Sequence, residues 1–227
     1  MSRFRSPGVR ERCFREHFDR NALARDDLRT ADYSNAASYG LRQAVVSRWL
    51  SGLVGLRIAD IGCGNGLLTT DLAKTNRVFG VDLALGMVRL AGGRGLLGAQ
   101  ARAAQLPLRG ESCDVTLVVE LAQYLPHLED LITEIVRITH PGGRIIFSCL
   151  HRSLARRMWS TLKPAGPLNP YLHSPRSVQR ILAAGGVRVI ESCVWFQPLR
   201  VRSTSRLGRC LGQLAGSAFA VMGIRES

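Results

Sequence analysis

Residues 58–66 are Ile-Ala-Asp-Ile-Gly-Cys-Gly-Asn-Gly, a short apolar run that ends in a glycine-rich turn. Such glycines let the backbone turn sharply and approach a ligand closely. The spacing departs from the Gly-x-Gly-x-x-Gly fingerprint of dinucleotide-binding proteins, because Leu67 stands where the third glycine would be. Asp60 near the end of the run suits a ligand that carries an ammonium group better than it suits a pyrophosphate.

A second acidic residue, Asp82, follows the next apolar run, 78–81. A carboxylate at the end of that strand can accept hydrogen bonds from ribose hydroxyls. Each feature alone is common in structural roles, because turn glycines serve turns and strand-end aspartates cap helices. In one βαβ unit, the two features together predict a nucleoside-binding site.

On either side of this unit, short apolar runs alternate with helical patterns, which predicts a parallel sheet covered by helices on both faces. Strands are expected at 56–61, 77–81, 100–103, 114–119, 144–149, 187–194 and 218–224, and helices at 66–74, from 85, at 128–139 and at 175–184. The last strand is expected to form a hairpin with the strand before it. The predicted fold is therefore a Rossmann-like α/β domain with a mostly parallel seven-stranded sheet whose last strand is antiparallel.

The chain of 227 residues is the right length for one α/β domain. Residues 33–53 carry apolar side chains at helical spacing, whereas residues 1–30 are charged and weakly patterned. We therefore predict an N-terminal helical cap or lid over residues 1–55 and the sheet domain over residues 56–227. No apolar run approaches the roughly 20 residues that cross a bilayer, and the charged N-terminus lacks a signal-peptide pattern, so a cytoplasmic location is expected.

Composition also bears on partners. The six cysteines show no metal-ligand spacing, so buried thiols and no metal are expected. The net charge of +14 suggests phosphate binding, but the basic residues are spread along the chain, which favours a generally basic surface over a nucleic-acid site.

Apolar residues and arginines interleave in 159–171 and 195–211. This pattern is compatible with a lipophilic or anionic acceptor, with contact with a membrane surface, and with a solvated basic face. The oligomeric state stays open.

Residues 59–66 and Asp82 resemble the first motif and the ribose-binding acid of the class I S-adenosylmethionine-dependent methyltransferases. Segments 105–108, 112–115 and 137–144 resemble the stretches before that family's fourth and fifth strands. The resemblance runs from about residue 55 to 195. Among subgroups, the chain is most similar to small-molecule methyltransferases related to quinone biosynthesis, and the implied cofactor is S-adenosylmethionine.

The resemblance implies a set of cofactor-binding residues. Near the methionine part of the cofactor these are Asp60, Gly62, Cys63, Gly64 and Gly66, with Glu120 at the methionine end after the fourth strand. Asp82 is expected at the ribose, and Leu83, Met87 and Ala103 are expected at the adenine. One departure concerns adenine, because Arg102 stands where the family often has an aspartate that accepts from the adenine amino group. Arginine has no acceptor, so that contact is lost or replaced. A second departure, Gln123-Tyr124 in place of Glu-His, predicts a different substrate pocket.

Two residues are candidates for proton transfer. Methyl transfer is an in-line displacement, so a general base is needed only when the acceptor carries a proton, as a hydroxyl does. Glu120 follows the fourth strand and His151 follows the fifth, where open α/β sheets bind their ligands. Alternatively, Glu120 lines the methionine end of the cofactor or caps its turn, and His151 belongs to a solvated loop.

The sequence therefore predicts an S-adenosylmethionine-dependent methyltransferase that acts on a small lipophilic or aromatic acceptor. An RNA or protein methyltransferase and a catalytically silent cofactor-binding scaffold remain as alternatives. Against the first alternative, residues 120–123 are Glu-Leu-Ala-Gln and carry no Asn-Pro-Pro-Tyr-type motif. The acceptor molecule and its reacting atom stay open.

Overall fold

One β-sheet organises the part of the chain that the structure, a computed structural model, describes: residues 7–33, 36–154, 158, 168–196, 201–203 and 218–227. Its strands are β1 (Arg57–Ile61), β2 (Arg77–Asp82), β3 (Leu97–Gln100), β4 (Cys113–Val119), β5 (Thr139–Leu150), β6 (Val187–Phe196), β7 (Val201–Ser203) and β8 (Ala218–Arg225). The α-helices in these ranges are α1 (Pro7–Ala24), α2 (Ala36–Trp49), α3 (Leu85–Gly93), α4 (Glu129–Ile138) and α5 (Pro175–Ala184).

The strand order is β3-β2-β1-β4-β5-β8-β6-β7. Strands β3, β2, β1, β4 and β5 pair in parallel, whereas β8 runs antiparallel to both β5 and β6. The predicted mostly parallel seven-stranded sheet with an antiparallel last strand is confirmed, and the short β7 adds an edge beside β6. The order reverses between β1 and β4, and ligands bind at such a switch point because the loops there diverge.

Two apolar layers sandwich the sheet. Helices α4 and α5 place Ile135 and Leu182 against one face, and α2 places Val45 and Trp49 against the other. Helix α5 begins as expected at Ser174, whose hydroxyl accepts from the Ser177 amide at 3.1 Å and caps the first turn. The helices fix the sheet rigidly below the loops that follow β1, β2 and β4.

Two expectations for regular structure were wrong. The predicted helix at 66–74 is a series of turns with a short 3₁₀ helix at Leu72–Lys74. The Thr70 hydroxyl bonds to the Gly66 carbonyl at 2.9 Å, and such side-chain bonds compete with the helical ladder. The third strand occupies Leu97–Gln100 rather than 100–103, because this exposed edge strand carries no clear apolar alternation.

Helix α1 lies within the segment 1–55 that was predicted as a helical cap or lid, but its bounds were not predicted. Most of its side chains are exposed or only half-buried, and Phe14 is its one fully buried apolar side chain among the described residues. A helix that buries so little has almost no periodic apolar signal. The structure nevertheless lays α1 beside α3, where Asp19 Oδ1 accepts from the Gly86 amide at 2.8 Å.

Candidate functional site

A cavity of about 400 Å³ lies at the carboxyl ends of β1, β2 and β4. Its volume falls within the range of small-molecule pockets. The last residues of these strands, Ile61, Asp82 and Val119, form part of its wall, and α1 contributes further lining through residues 10–18. The cavity therefore occupies the switch point of the sheet and lies against the N-terminal helix.

Most of the residues proposed from the sequence line this cavity. They are Asp60, Gly62, Cys63, Gly64, Asp82, Leu83, Met87, Ala103 and Glu120. Gly66 is not among the lining residues that the structure describes; an added Cβ there would lie 3.0 Å from Ala91 of α3, so this glycine permits close packing of the turn on that helix.

The structure places His151 away from the other candidates. Its ring is buried and meets the Phe219 ring of β8 edge-on at a centroid distance of 5.9 Å. It also forms a β-bridge with His173. Within the described residues His151, which directly follows β5, is not part of the cavity lining.

The glycine-rich turn uses backbone conformations that glycine adopts without strain and that other residues adopt only rarely. Gly62 and Gly64 have φ angles of +76° and +53°, in the left-handed region. A Cβ at Gly62 would lie 2.9 Å from the Leu121 Cβ, closer than ordinary contact. The amides of Gly62 and Cys63 donate to the Val81 carbonyl at 2.7 and 3.1 Å, which ties the turn to β2.

Two carboxylates flank this turn, the buried Asp60 and the partly buried Asp82. Asp60 accepts from the Thr69 hydroxyl at 2.8 Å, and burial raises its pKa from 3.8 to about 7. Asp82 accepts from the amides of Gly64 and Ala84, both at 2.9 Å, and burial raises its pKa as well. A carboxylate offers about four lone-pair sites, so both groups retain acceptor capacity beside the cavity. A ligand that brings an ammonium group and hydroxyls fits this donor-poor wall.

Glu120 is held in a conformation that non-glycine residues rarely adopt. Its φ is +59°, and its Oε1 lies 2.9 Å from Nε of the buried Arg42 and 3.3 Å from the Ser148 hydroxyl. Arg42 also donates to the carbonyl and hydroxyl of Ser38, both at 2.7 Å. Such strain persists only where the surroundings impose it, and it is frequent at functional sites. The buried ion pair fixes the Glu120 carboxylate at the cavity wall.

The N-terminal helix supplies cavity residues that the sequence did not identify. Phe14 and Phe18 contact the Tyr124 ring edge-on at centroid distances of 4.9 and 5.5 Å. The Arg10 guanidinium lies 4.3 Å from the centre of the Tyr171 ring. All five side chains line the cavity, so one end of it is aromatic. The weak pattern of α1 gave no signal for Arg10, Phe14 and Phe18, whereas Tyr124 belongs to the pair Gln123-Tyr124 from which a different substrate pocket was predicted.

A further ion pair joins α1 to the loop after β3. The guanidinium of Arg102 donates to the carboxylate of Glu11, and both residues line the cavity beside Ala103. Arg102 offers no hydrogen-bond acceptor, but the carboxylate of Glu11 beside it does. Nothing in the sequence pairs these two distant positions.

The described residues give no sign of a metal centre or a membrane-spanning helix. They contain no group of three His, Cys, Asp or Glu side chains that could hold a metal ion. No helix within them has the length and apolar character needed to cross a bilayer. Their five cysteines are free thiols, and Cys210 lies outside the described part, as do residues 159–167 and most of the stretch 197–211.

Comparison with known proteins agrees with this geometry. Residues 59–147 match a family model described as a methyltransferase domain. The chain is 30% identical over 120 residues to a ubiquinone biosynthesis O-methyltransferase of Cupriavidus pinatubonensis, covering 47% of each chain. It is 31% identical over 146 residues to phthiotriol/phenolphthiotriol dimycocerosates methyltransferase 1 of Mycobacterium ulcerans, covering 61% of this chain and 52% of that one. The chain spans about half the length of the curated relatives it matches.

The fold has a solved counterpart in magnesium protoporphyrin IX methyltransferase of Synechocystis PCC 6803 with bound S-adenosylhomocysteine, at 17% identity, a TM-score of 0.68 and coverage of 96% of this chain and all of that one. The fold and the geometry of the glycine-rich turn agree with the match of residues 59–147 to a methyltransferase domain. The matched residues include the glycine-rich turn, Asp82 and Glu120, so the match covers the polar part of the cavity.

Proposed function

We propose that this chain transfers a methyl group from S-adenosylmethionine to a small aromatic or lipophilic acceptor by in-line displacement. One observation carries the proposal: a single cavity is lined both by two carboxylates with a glycine turn and by a cluster of aromatic rings. A zwitterionic nucleoside suits the polar lining, and a planar apolar molecule suits the aromatic lining.

The polar end would hold the cofactor. Asp60 would face the ammonium group, the backbone of Gly62 to Gly64 would pass along the methionine part, and Asp82 would accept from the ribose hydroxyls. Leu83, Met87 and Ala103 would enclose the adenine. When bound, the cofactor supplies a methyl carbon activated by a sulfonium, so the protein needs mainly to orient the acceptor and exclude water.

The aromatic end would receive the acceptor. Phe14, Phe18 and Tyr124 form a perpendicular cluster, and Tyr171 is covered by the Arg10 guanidinium. Edge-to-face and stacked contacts with these rings would orient a planar acceptor. Two relatives are named for methylation in ubiquinone biosynthesis and for phthiotriol or phenolphthiotriol methylation, which supports a hydroxyl on a lipophilic or phenolic molecule as the acceptor group.

The two proton-transfer candidates stand differently in this scheme. Glu120 lies at the cavity wall but is already paired with Arg42, so its first role would be to position the methionine end of the cofactor. Glu120 could take a proton from the hydroxyl of the methyl acceptor only if its contact with Arg42 were partly broken. His151 stays a prediction that requires access from the cavity, which its burial against Phe219 does not provide.

The N-terminal segment would act as the predicted cap. Several contacts of residues 7–33 support this: Asn65 donates to Asp26 Oδ1 at 3.1 Å, Arg94 pairs with the same carboxylate at 2.8 Å, and Asp19 receives the Gly86 amide. These contacts join the segment to the glycine-rich turn and to the two ends of α3. Ligand entry would require α1 to move away from the sheet domain, since α1 covers part of the cavity.

The test is calorimetric titration with S-adenosylmethionine, followed by methyl release in the presence of catechols and hydroquinones with apolar tails. Wild-type protein should bind the cofactor, and Asp82→Ala should lose most of the affinity. Asp71→Ala is the matched control, because that carboxylate is exposed and pairs only with Lys74 among the described residues. Folded wild-type protein that fails to bind the cofactor would contradict the proposal, and binding without turnover on any acceptor would favour the scaffold alternative.

A further inference from the structure

Recognition of the adenine amino group poses a problem at Arg102. An exocyclic amine is a hydrogen-bond donor, so a site that prefers adenine over a 6-oxopurine needs an acceptor directed at it. The side chain next to Ala103 is an arginine, which only donates. By itself, Arg102 would favour the carbonyl of a 6-oxopurine over the amine of adenine.

The structure supplies an acceptor from a different element. Glu11 of α1 lines the cavity, and its carboxylate receives a hydrogen bond from Arg102. A carboxylate has about four acceptor sites, so this pairing leaves capacity for a further donor. The other cavity carboxylates belong to other parts of the lining: Asp60 and Asp82 flank the glycine turn, and Glu120 is bound to Arg42. Asp130 lies in the first turn of α4.

Stability does not account for the pair. The Arg102 side chain is 60% exposed and that of Glu11 is 33% exposed, and ion pairs in such positions add little to folding. The backbone around Glu11 is nonetheless well fixed, because Phe14 packs on Tyr124 one turn later and Asp19 holds the start of α3. The pair is therefore a directed polar contact at the edge of the cavity on a stable support.

We propose that Glu11 is the adenine-specificity residue of this chain, with Arg102 as the positioning residue that directs its carboxylate towards the purine amine. The inference rests on the proposed cofactor site. It places the determinant on the N-terminal helix, so α1 must lie against the sheet domain for adenine to be recognised. A 6-oxopurine would turn its carbonyl towards the carboxylate and be repelled.

The experiment compares the binding of S-adenosylhomocysteine and S-inosylhomocysteine by calorimetry. Wild-type protein should prefer the adenine compound. Glu11→Ala should weaken binding of S-adenosylhomocysteine by about tenfold, the effect of losing one charge-assisted hydrogen bond, and should leave the inosine compound unchanged or bound more tightly through Arg102. Glu16→Ala, an exposed glutamate of the same helix outside the cavity lining, serves as control and should change neither affinity.

A second variant keeps the inference falsifiable if Glu11→Ala also loosens α1. The double variant Glu11→Ala/Arg102→Asp places an acceptor on the sheet domain itself and should restore the preference for adenine. The inference would be overturned if Glu11→Ala weakened the binding of both ligands equally and the double variant did not restore the preference for adenine. It would also be overturned if Asp130→Ala, which removes a different cavity carboxylate, lost the preference for adenine. Failure of wild-type protein to bind either ligand would instead contradict the proposed function.

Discussion

Replacing Asp60 by asparagine should make the ligand-free protein more stable at neutral pH while it impairs cofactor binding. The Asp60 carboxyl is almost fully buried, and its pKa rises from 3.8 to about 7, mainly because burial removes water from the charged form. Asparagine has nearly the same shape, remains neutral, and can still accept from the Thr69 hydroxyl. The substitution therefore removes the charge and little else.

The sign and size follow from proton linkage. Below about pH 4 the carboxyl is protonated in both the folded and the unfolded chain and costs nothing. As the pH rises towards 7, the unfolded chain releases the proton and the folded chain retains it, so the free energy of unfolding of the wild type falls by about 1.4 kcal/mol per pH unit. The loss levels off above pH 7 at about 4 kcal/mol, which Asp60→Asn avoids.

The assay is urea denaturation of wild type and Asp60→Asn without ligand between about pH 5 and pH 8. The stability advantage of the variant should grow with pH and reach several kcal/mol, or roughly 10 °C in melting temperature near pH 8. Calorimetry with S-adenosylmethionine should show weaker binding to the variant, because the charge opposite the ammonium is gone. An advantage that does not change with pH, or a less stable variant at pH 8, would refute the desolvation argument.

Three further outcomes are expected. Gly62→Ala should lose at least about 1 to 2 kcal/mol of stability and most cofactor affinity, because φ is +76° and the new Cβ would meet Leu121. The control Gly92→Ala in α3 should be stabilising, because nothing lies near its added Cβ and alanine favours the helix. Denaturation of both variants checks this, and an unchanged stability of Gly62→Ala would contradict it. Arg42→Met should lower the free energy of unfolding by about 3 kcal/mol, because it leaves the largely buried Glu120 without its cation. Arg48→Met, which removes an exposed cation, should lower it by less than about 1 kcal/mol. Equal losses in the two variants would argue against a stabilising role of the buried pair.

The third of these concerns the acceptor. Tyr124→Ala should raise the KM for a phenolic acceptor by about tenfold with little change in cofactor affinity, because it removes the ring that Phe14 and Phe18 contact. Steady-state kinetics alongside cofactor titration separates the two effects, and an equal loss of both would place Tyr124 in the cofactor part of the cavity.

The sequence by itself determined most of the sheet and the centre of the candidate site. The turn at 58–66 and Asp82 are readable because strand, turn and strand end are local features whose glycines and carboxylates follow from backbone geometry. The amphipathic helices α4 and α5 were predictable for the same reason, since each buries one periodic face.

Tertiary structure alone decided which distant side chains meet at that site. The pairs Arg42–Glu120 and Glu11–Arg102 join residues far apart in the chain, and no periodic pattern relates such positions. The bounds of α1 and its cavity residues Glu11 and Phe14 could not be predicted, because the helix buries too little to show an apolar period. His151 follows the fifth strand and is buried beside Phe219 of β8. This position depends on how β8 packs beside β5, and the residues next to His151 in the sequence do not reveal it.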